Sequence, residues 1–262
     1  MRREPRRNSG PQEIAEDVFL LALGCGVTAC NVYFVRSGSS WALIDTGWRK
    51  QGRRVREAAE RLFGAGAPPA AIVLTHLHPD HSGSLLELVA AWKPPVYVHP
   101  DELPLAAGGY VPQYANPLDR WLVAPVLRLI PPRTLRRALA ANSVAGLARS
   151  FDPEGAVPGL PGWECVATPG HTPGHSAFLR RRDGVLITGD AALTVDLNRP
   201  WNLLREAAGV YGPPYVSTWN WPEARRSVAA LARLEPRVLA RGHGPPLVTG
   251  AAPALHALVA HR

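Results

Sequence analysis

Lysine is almost missing: Lys50 and Lys93 are the only two in 262 residues, although lysine and arginine together number 29 and the formal net charge is +8. The positive charge is therefore arginine, scattered among Ala, Pro and Gly instead of gathered into a basic run interleaved with aromatics. Without such a run the sequence shows no stacking platform of the kind single-stranded nucleic acids use, so a small-molecule partner is favoured over nucleic acid. Cysteine is scarce too. Cys25, Cys30 and Cys165 form neither a CxxC pair nor an even framework, which excludes a disulfide-stapled scaffold and fits a reducing, cytoplasmic setting. No long apolar run is clean enough for a membrane span. Residues 18–35, VFLLALGCGVTACNVYFV, carry no charge, but Gly24, Gly26 and Asn31 interrupt them. LALGC is a poor lipoprotein signal, because Glu13, Glu16 and Asp17 stand where positive charge belongs and Leu23 where cleavage prefers a small residue. Two buried strands, roughly 18–23 and 29–36, are expected there, and no membrane partner.

Hydrophobic residues make up 46% of the chain, enough for one large mixed core. Residues 1–17 hold Arg2, Arg3, Arg6 and Arg7 beside the helix breakers Pro5, Gly10 and Pro11, and are read as a flexible basic tail. Residues 18–262 are read as a single domain. WALID and AAIVLT are short apolar strands, and RRVREAAERLF between them spaces Val55, Ala58, Ala59, Leu62 and Phe63 as one helical face. From about 101 to 160 the strand and helix alternation fails. Its prolines, and helices expected near 117–130 and 132–149, mark a helical insertion that serves as a pocket lid or as the face of a homodimer. WECVATPG, AFLRRRDG, VLITGD and RVLA then give further strand signals, with a helix over 222–234 and a last helix at the end. The pattern recurs in both halves, as two similar layers packed face to face would require.

The stretch THLHPDHSG, residues 75–83, places His76, His78, Asp80 and His81 directly after a strand and before a helix. Imidazole nitrogens and carboxylate oxygens ligate zinc and other borderline metals. His76 and His78 can face one side, and Asp80 and His81, past Pro79, the other, so two neighbouring metals are accommodated. Four residues cannot complete two coordination spheres. Three more ligand types stand at later strand ends, each beside a glycine: His171 in TPGHTPGH, Asp190 in ITGD and His243 in RGHG.

HLHPDH followed by His171, Asp190 and His243, and preceded by Asp45 in DTG, resembles the metallo-β-lactamase fold superfamily, in its glyoxalase II and lactonase-like hydrolase branch. The likeness spans about residues 18–250. It implies an α/β fold, an αββα sandwich of two mixed β-sheets flanked by helices. It also implies one metal on His76, His78 and His171 and a second on Asp80, His81 and His243, with Asp190 bridging. The cofactors would be two Zn2+, or alternatively Fe or Mn. Asp80 and Asp190 would serve catalysis, Asp80 by orienting the attacking water and passing its proton to the leaving group. Asp45 would steady the histidine loop without touching metal, and His175 and His99 would act in the same indirect way. His256 and His261, on the terminal helix, are read as packing or surface residues.

Two adjacent cations acidify a water and polarise a carbonyl or phosphoryl oxygen, so the expected activity is hydrolysis of a small ester-like molecule: a lactone, thioester or carboxylic ester. The superfamily's β-lactamases generally lack an aspartate at the bridging position, so Asp190 argues against that activity. Lactonases of the family place a tyrosine soon after the bridging aspartate, whereas Ala191, Ala192 and Leu193 follow here. Tyr211 or Tyr215 can substitute, and with Trp201 they are expected to wall an apolar substrate pocket. The alternatives are a mononuclear iron enzyme resembling the persulfide dioxygenases, and a phosphodiesterase or nucleic-acid processing nuclease.

Overall fold

In the computed structural model, residues 10–107, 111–114, 125, 129–134, 143–198 and 209–260 are described. Among them, seven strands form a first sheet in spatial order: β1 (Gln12–Ala15), β2 (Val18–Leu23), β3 (Cys30–Ser37), β4 (Ser40–Ile44), β5 (Ala71–Val73), β6 (Val96–Val98) and β7 (Ala148–Ser150). Neighbours from β1 to β4 are antiparallel, and those from β4 to β7 parallel. The second sheet contains β8 (Ala156–Val157), β9 (Leu160–Ala167), β10 (Ser176–Arg180), β11 (Val185–Ile187) and β12 (Val238–Ala240) in the order β12-β11-β10-β9-β8. Only β11 and β12 pair in parallel there.

The apolar runs explain the layering. Along β3 the pleat sends Cys30, Val32 and Phe34 to one buried cluster and Tyr33 and Val35 to another. Trp41 and Leu43 of β4 join the first of these clusters, and Ala42 and Ile44 the second. The second cluster lies between the sheets, where Tyr33, Ile44 and Val73 meet Leu160, Phe178 and Ile187. Outside the first sheet lie α1 (Gly52–Phe63), α2 (Pro79–Ser82) and α3 (Leu85–Trp92). Val55, Ala58, Leu85 and Leu88 pack on that face, and the Phe63 ring stacks on Trp41 at 4.5 Å. On the far side, α4 (Trp221–Ala232) and α5 (Ala251–Ala260) lay Val228, Leu231, Leu255 and Leu258 over Leu179, Leu186 and Leu239. The result is the expected αββα sandwich. Each fully buried Leu or Val contributes roughly 1.5–3 kcal/mol, so the clusters hold the strand ends in place.

Several expected boundaries move. β1 lies inside the 1–17 segment expected to be a tail, because Ile14 is buried against the inter-sheet core. Residues 1–9, with the four arginines, lie outside the described residues. β7 and β8 fall inside the 101–160 stretch expected as a helical insertion. β7 completes the first sheet beside β6, so the helix expected over 132–149 gives way to a strand at its end. Most of that helix, and most of the one expected over 117–130, lies outside the described residues. The 18–35 stretch is two strands joined by a short 3-10 turn, Gly26–Thr28. Among the described residues no helix is long and apolar enough to cross a membrane.

Candidate metal centre

Five strand ends converge at one edge of the sandwich. Asp45 follows β4, the His76 loop follows β5, His171 follows β9, Asp190 follows β11 and His243 follows β12. Pro79 opens the one-turn helix α2, which carries Asp80 and His81. Its fixed φ suits a first helical position. This turn aims the ligand atoms of Asp80 and His81 into a different group from those of His76 and His78, although the His76 and His81 ring centroids lie only 4.1 Å apart. Gly242 lets the last loop close on the others. A methyl group there would overlap Asp190 Oδ1 and stand 2.9 Å from His81 Cε1.

The side chains fall into two groups that could each hold a metal ion: His76, His78 and His171, and Asp80, His81, Asp190 and His243. Within each group the ligand atoms lie within 4.8 Å of one another. Asp190 stands between them. Its Oδ2 is 3.4 Å from His171 Nε2 and 3.3 Å from His243 Nε2, and its Oδ1 is 3.3 Å from His81 Nε2. Asp80 Oδ2 lies 3.1 Å from His243 Nε2 and 3.7 Å from His81 Nε2.

Four of the histidines are anchored through Nδ1. His243 Nδ1 is 2.5 Å from the carbonyl of Ala29, which can only accept, so the proton is on Nδ1. His81 Nδ1 donates to Asp45 Oδ2 at 2.7 Å. Thr75 Oγ1 donates to Asp45 and accepts from His76 Nδ1 at 3.0 Å. Thr218 Oγ1 donates to the Pro214 carbonyl and accepts from His171 Nδ1 at 3.2 Å. Each ring thus turns its Nε2 inward, the arrangement that orients metal-binding histidines. Nε2 of His76, His81 and His171 and Oδ1 of Asp190 are buried and complete no well-aligned hydrogen bond within the chain. Buried polar atoms are ordinarily satisfied. A convergent set of nitrogen and carboxylate lone pairs fits a divalent ion, so these residues suit such a cofactor.

Burial and charge divide the groups. Burial, reinforced by His81, His78 and His171, pushes His76 well below the usual imidazole range, and burial does the same to His171. Burial also opposes charge on His81 and His243, yet carboxylates overcome it. Asp45, Asp190 and Asp80 raise His81, and Asp190 and Asp80 lift His243 to about 10. Against burial, His243 and His81 hold the Asp190 carboxyl well below its ordinary range.

The sequence matches the family model of the metallo-beta-lactamase superfamily over residues 25–243. The chain belongs to that superfamily. It is 35% identical over 228 residues to the Bacillus subtilis (strain 168) protein named "Probable metallo-hydrolase YflN", covering 86% of this chain and 84% of that one. Among solved structures it is similar to TTHA1623 in a di-iron-bound form, with TM-score 0.59 and 27% identity over 92% of this chain and 96% of the other. The fold is also that of AidC, a dizinc quorum-quenching lactonase, with TM-score 0.60 and 16% identity over 83% and 73% of the two chains. These structural neighbours thus include one di-iron and one dizinc form.

The other expected site residues lie as follows. His175 is buried, and its Nε2 accepts the backbone N–H of Asp190 at 3.0 Å while Nδ1 meets Thr168 Oγ1 at 2.7 Å. Nε2 is thereby engaged in holding Asp190 and Nδ1 in fixing the ring on Thr168. His99 is not brought into the histidine group: its Nδ1 accepts the Asp101 N–H, capping the 3-10 turn Pro100–Leu105. Tyr211 pairs through its backbone with Leu193, three residues past Asp190. Tyr215 stacks on Trp221 at 5.4 Å and is 57% exposed. Trp201 lies outside the described residues. Thr75, Thr218 and the Ala29 carbonyl, which anchor the rings, were missed by sequence reasoning. Thr75 adjoins His76 and had a positional signal, but Thr218 and Ala29 are far along the chain from the rings they hold.

Proposed function

We propose that the chain is a dimetal-dependent hydrolase of a small ester-like substrate: a lactone, thioester or carboxylic ester. The observation that carries this reading is the set of Nδ1-anchored histidines, of which His81, His171 and His243 bring Nε2 within 3.4 Å of the buried Asp190 between two ligand groups. In this reading His76, His78 and His171 would hold one ion and Asp80, His81 and His243 the other, with Asp190 shared between the two groups. Two Zn2+ suit the nitrogen-rich set, with Fe or Mn as alternatives. When bound, the metals supply an acidified water and a Lewis acid for the substrate oxygen.

The chain's own residues orient and shuttle. Asp190 is 3% exposed at its side chain and Asp80 16%, so Asp80 is the carboxylate able to reach a leaving group and hand it a proton. Asp45 and His175 keep His81 and Asp190 in register. Tyr215 and the neighbouring Val216 are exposed on the loop whose Thr218 anchors His171. With Tyr211 they supply an apolar wall for the organic part of the substrate.

The test is turnover of a panel of lactone, thioester, aryl ester, β-lactam and phosphodiester substrates by zinc, manganese and iron forms. The first three classes should lead. One iron per chain with oxygen consumption, or a preference for phosphodiesters, would overturn the reading.

A further inference from the structure

Glu102 lies in the 101–160 stretch, on the 3-10 turn Pro100–Leu105 that follows β6, and its residue is 0% exposed. Among the described residues it forms no ion pair. Its Oε2 instead accepts the backbone N–H of Leu77 at 2.9 Å, and its Oε1 accepts the backbone N–H of Gly174 at 2.9 Å. Leu77 stands between His76 and His78, on the loop that follows β5 of the first sheet. Gly174 stands between His171 and His175, on the loop joining β9 to β10 of the second. One carboxylate therefore ties together the two loops that carry the three-histidine group, one from each sheet. The fit is close: a methyl on Gly174 would stand 2.7 Å from the Glu102 nitrogen and 3.0 Å from its Cγ.

A buried carboxylate without a cation is costly to desolvate, and an apolar residue would fill the same volume without that cost. Only a group with two acceptor oxygens can satisfy both N–H donors at once. We propose that Glu102 is a positioning residue of the metal centre, setting the separation of His76 and His78 from His171 by bridging the Leu77 and Gly174 amides. This rests on the reading of His76, His78 and His171 as one metal group. It predicts a selective effect: loosening the bridge weakens that group and leaves the Asp80, His81, Asp190 and His243 group intact.

The experiment measures metal affinity of the full chain by chelator competition, and the Co2+ absorption spectrum, for the parent, Glu102→Gln, Glu102→Ala and His78→Ala. Glutamine keeps one acceptor but turns an NH2 toward the other N–H. His78→Ala identifies the metal and the absorption band that belong to the three-histidine group. Glu102→Gln and Glu102→Ala should weaken that metal about 10–100-fold, the usual range for residues that orient ligands, and perturb that band alone. Parent-like affinity and spectrum, or equal weakening of both metals, would overturn the proposal. If His78→Ala loses no metal, the dimetal reading itself fails, whatever the Glu102 variants do. Should the Glu102 variants not fold, Gly174→Ala, which pushes the loop off an intact carboxylate, must show the same selective loss. In the metal-free parent, the Leu77 and Gly174 amide protons must also resist exchange, and free exchange of either would overturn the bridge.

Discussion

Asp45→Asn separates the charge of a buried carboxylate from its shape. Asp45 holds a left-handed φ of 61°, which asparagine also tolerates, and its Oδ1 accepts the Thr75 N–H at 2.8 Å, a bond the amide oxygen can keep. The change falls on the other oxygen, which accepts from His81 Nδ1 at 2.7 Å. An NH2 there donates toward Nδ1 and drives the ring proton to Nε2, the atom that faces Asp80 and Asp190. A hydrogen bond to a charged group contributes about 1.5–3 kcal/mol, and at 1.4 kcal/mol per tenfold this corresponds to roughly 10–100-fold in metal affinity, the range seen for comparable ligand-orienting carboxylates. Chelator competition measures the affinity, and 15N NMR of the His81 ring reports which nitrogen is protonated. A variant that binds metal like the parent with the proton still on Nδ1 would refute the reasoning.

Gly242→Ala should abolish binding at the Asp80, His81, Asp190 and His243 group, since its methyl overlaps Asp190 Oδ1; full metal content by elemental analysis would contradict this. Asp190→Ala should lose metal and nearly all hydrolysis, whereas His256→Ala, which removes only an exposed pairing with Glu235, should match the parent in both assays. The metal-free protein should weaken as pH falls below about 6.5. Burial holds His175 down at about 3 in the folded chain, so the unfolded state binds more protons between these values. Stability is then present above 6.5 and declines as pH falls, at up to roughly 1.4 kcal/mol per pH unit for one such group. His76 and His171 act in the same direction. Equal urea midpoints at pH near 7 and near 5 would refute this.

Ligand types and strand ends were legible because both are local. The apolar runs before His76, Asp190 and His243 announce strands, and glycine neighbours announce the turns that expose the side chains. The recurrence of strand and helix signals in both halves likewise foretold two similar layers packed face to face. The 101–160 stretch was harder to read. β7 and β8 are two or three residues long, too short for an alternation to register, and they exist because β6 and β9 offer partners. His99 ends a strand as the metal residues do, yet its ring is spent on capping the next turn.

By itself, then, the sequence determined the donor inventory and, outside residues 1–17 and 101–160, the order of elements, since both follow from residue type and spacing over a few positions. The fold class followed from the family resemblance that the ligand motif carries. Tertiary structure alone decided which nitrogen of each ring faces inward and what holds it there. Ala29 and His243 are 214 positions apart, His171 and Thr218 47, and Glu102 lies 25 and 72 positions from the amides it binds. Contacts at such separations leave no periodic trace in the chain; they arise only when two sheets, each shaped by its own apolar pattern, bring their loop-bearing edges together.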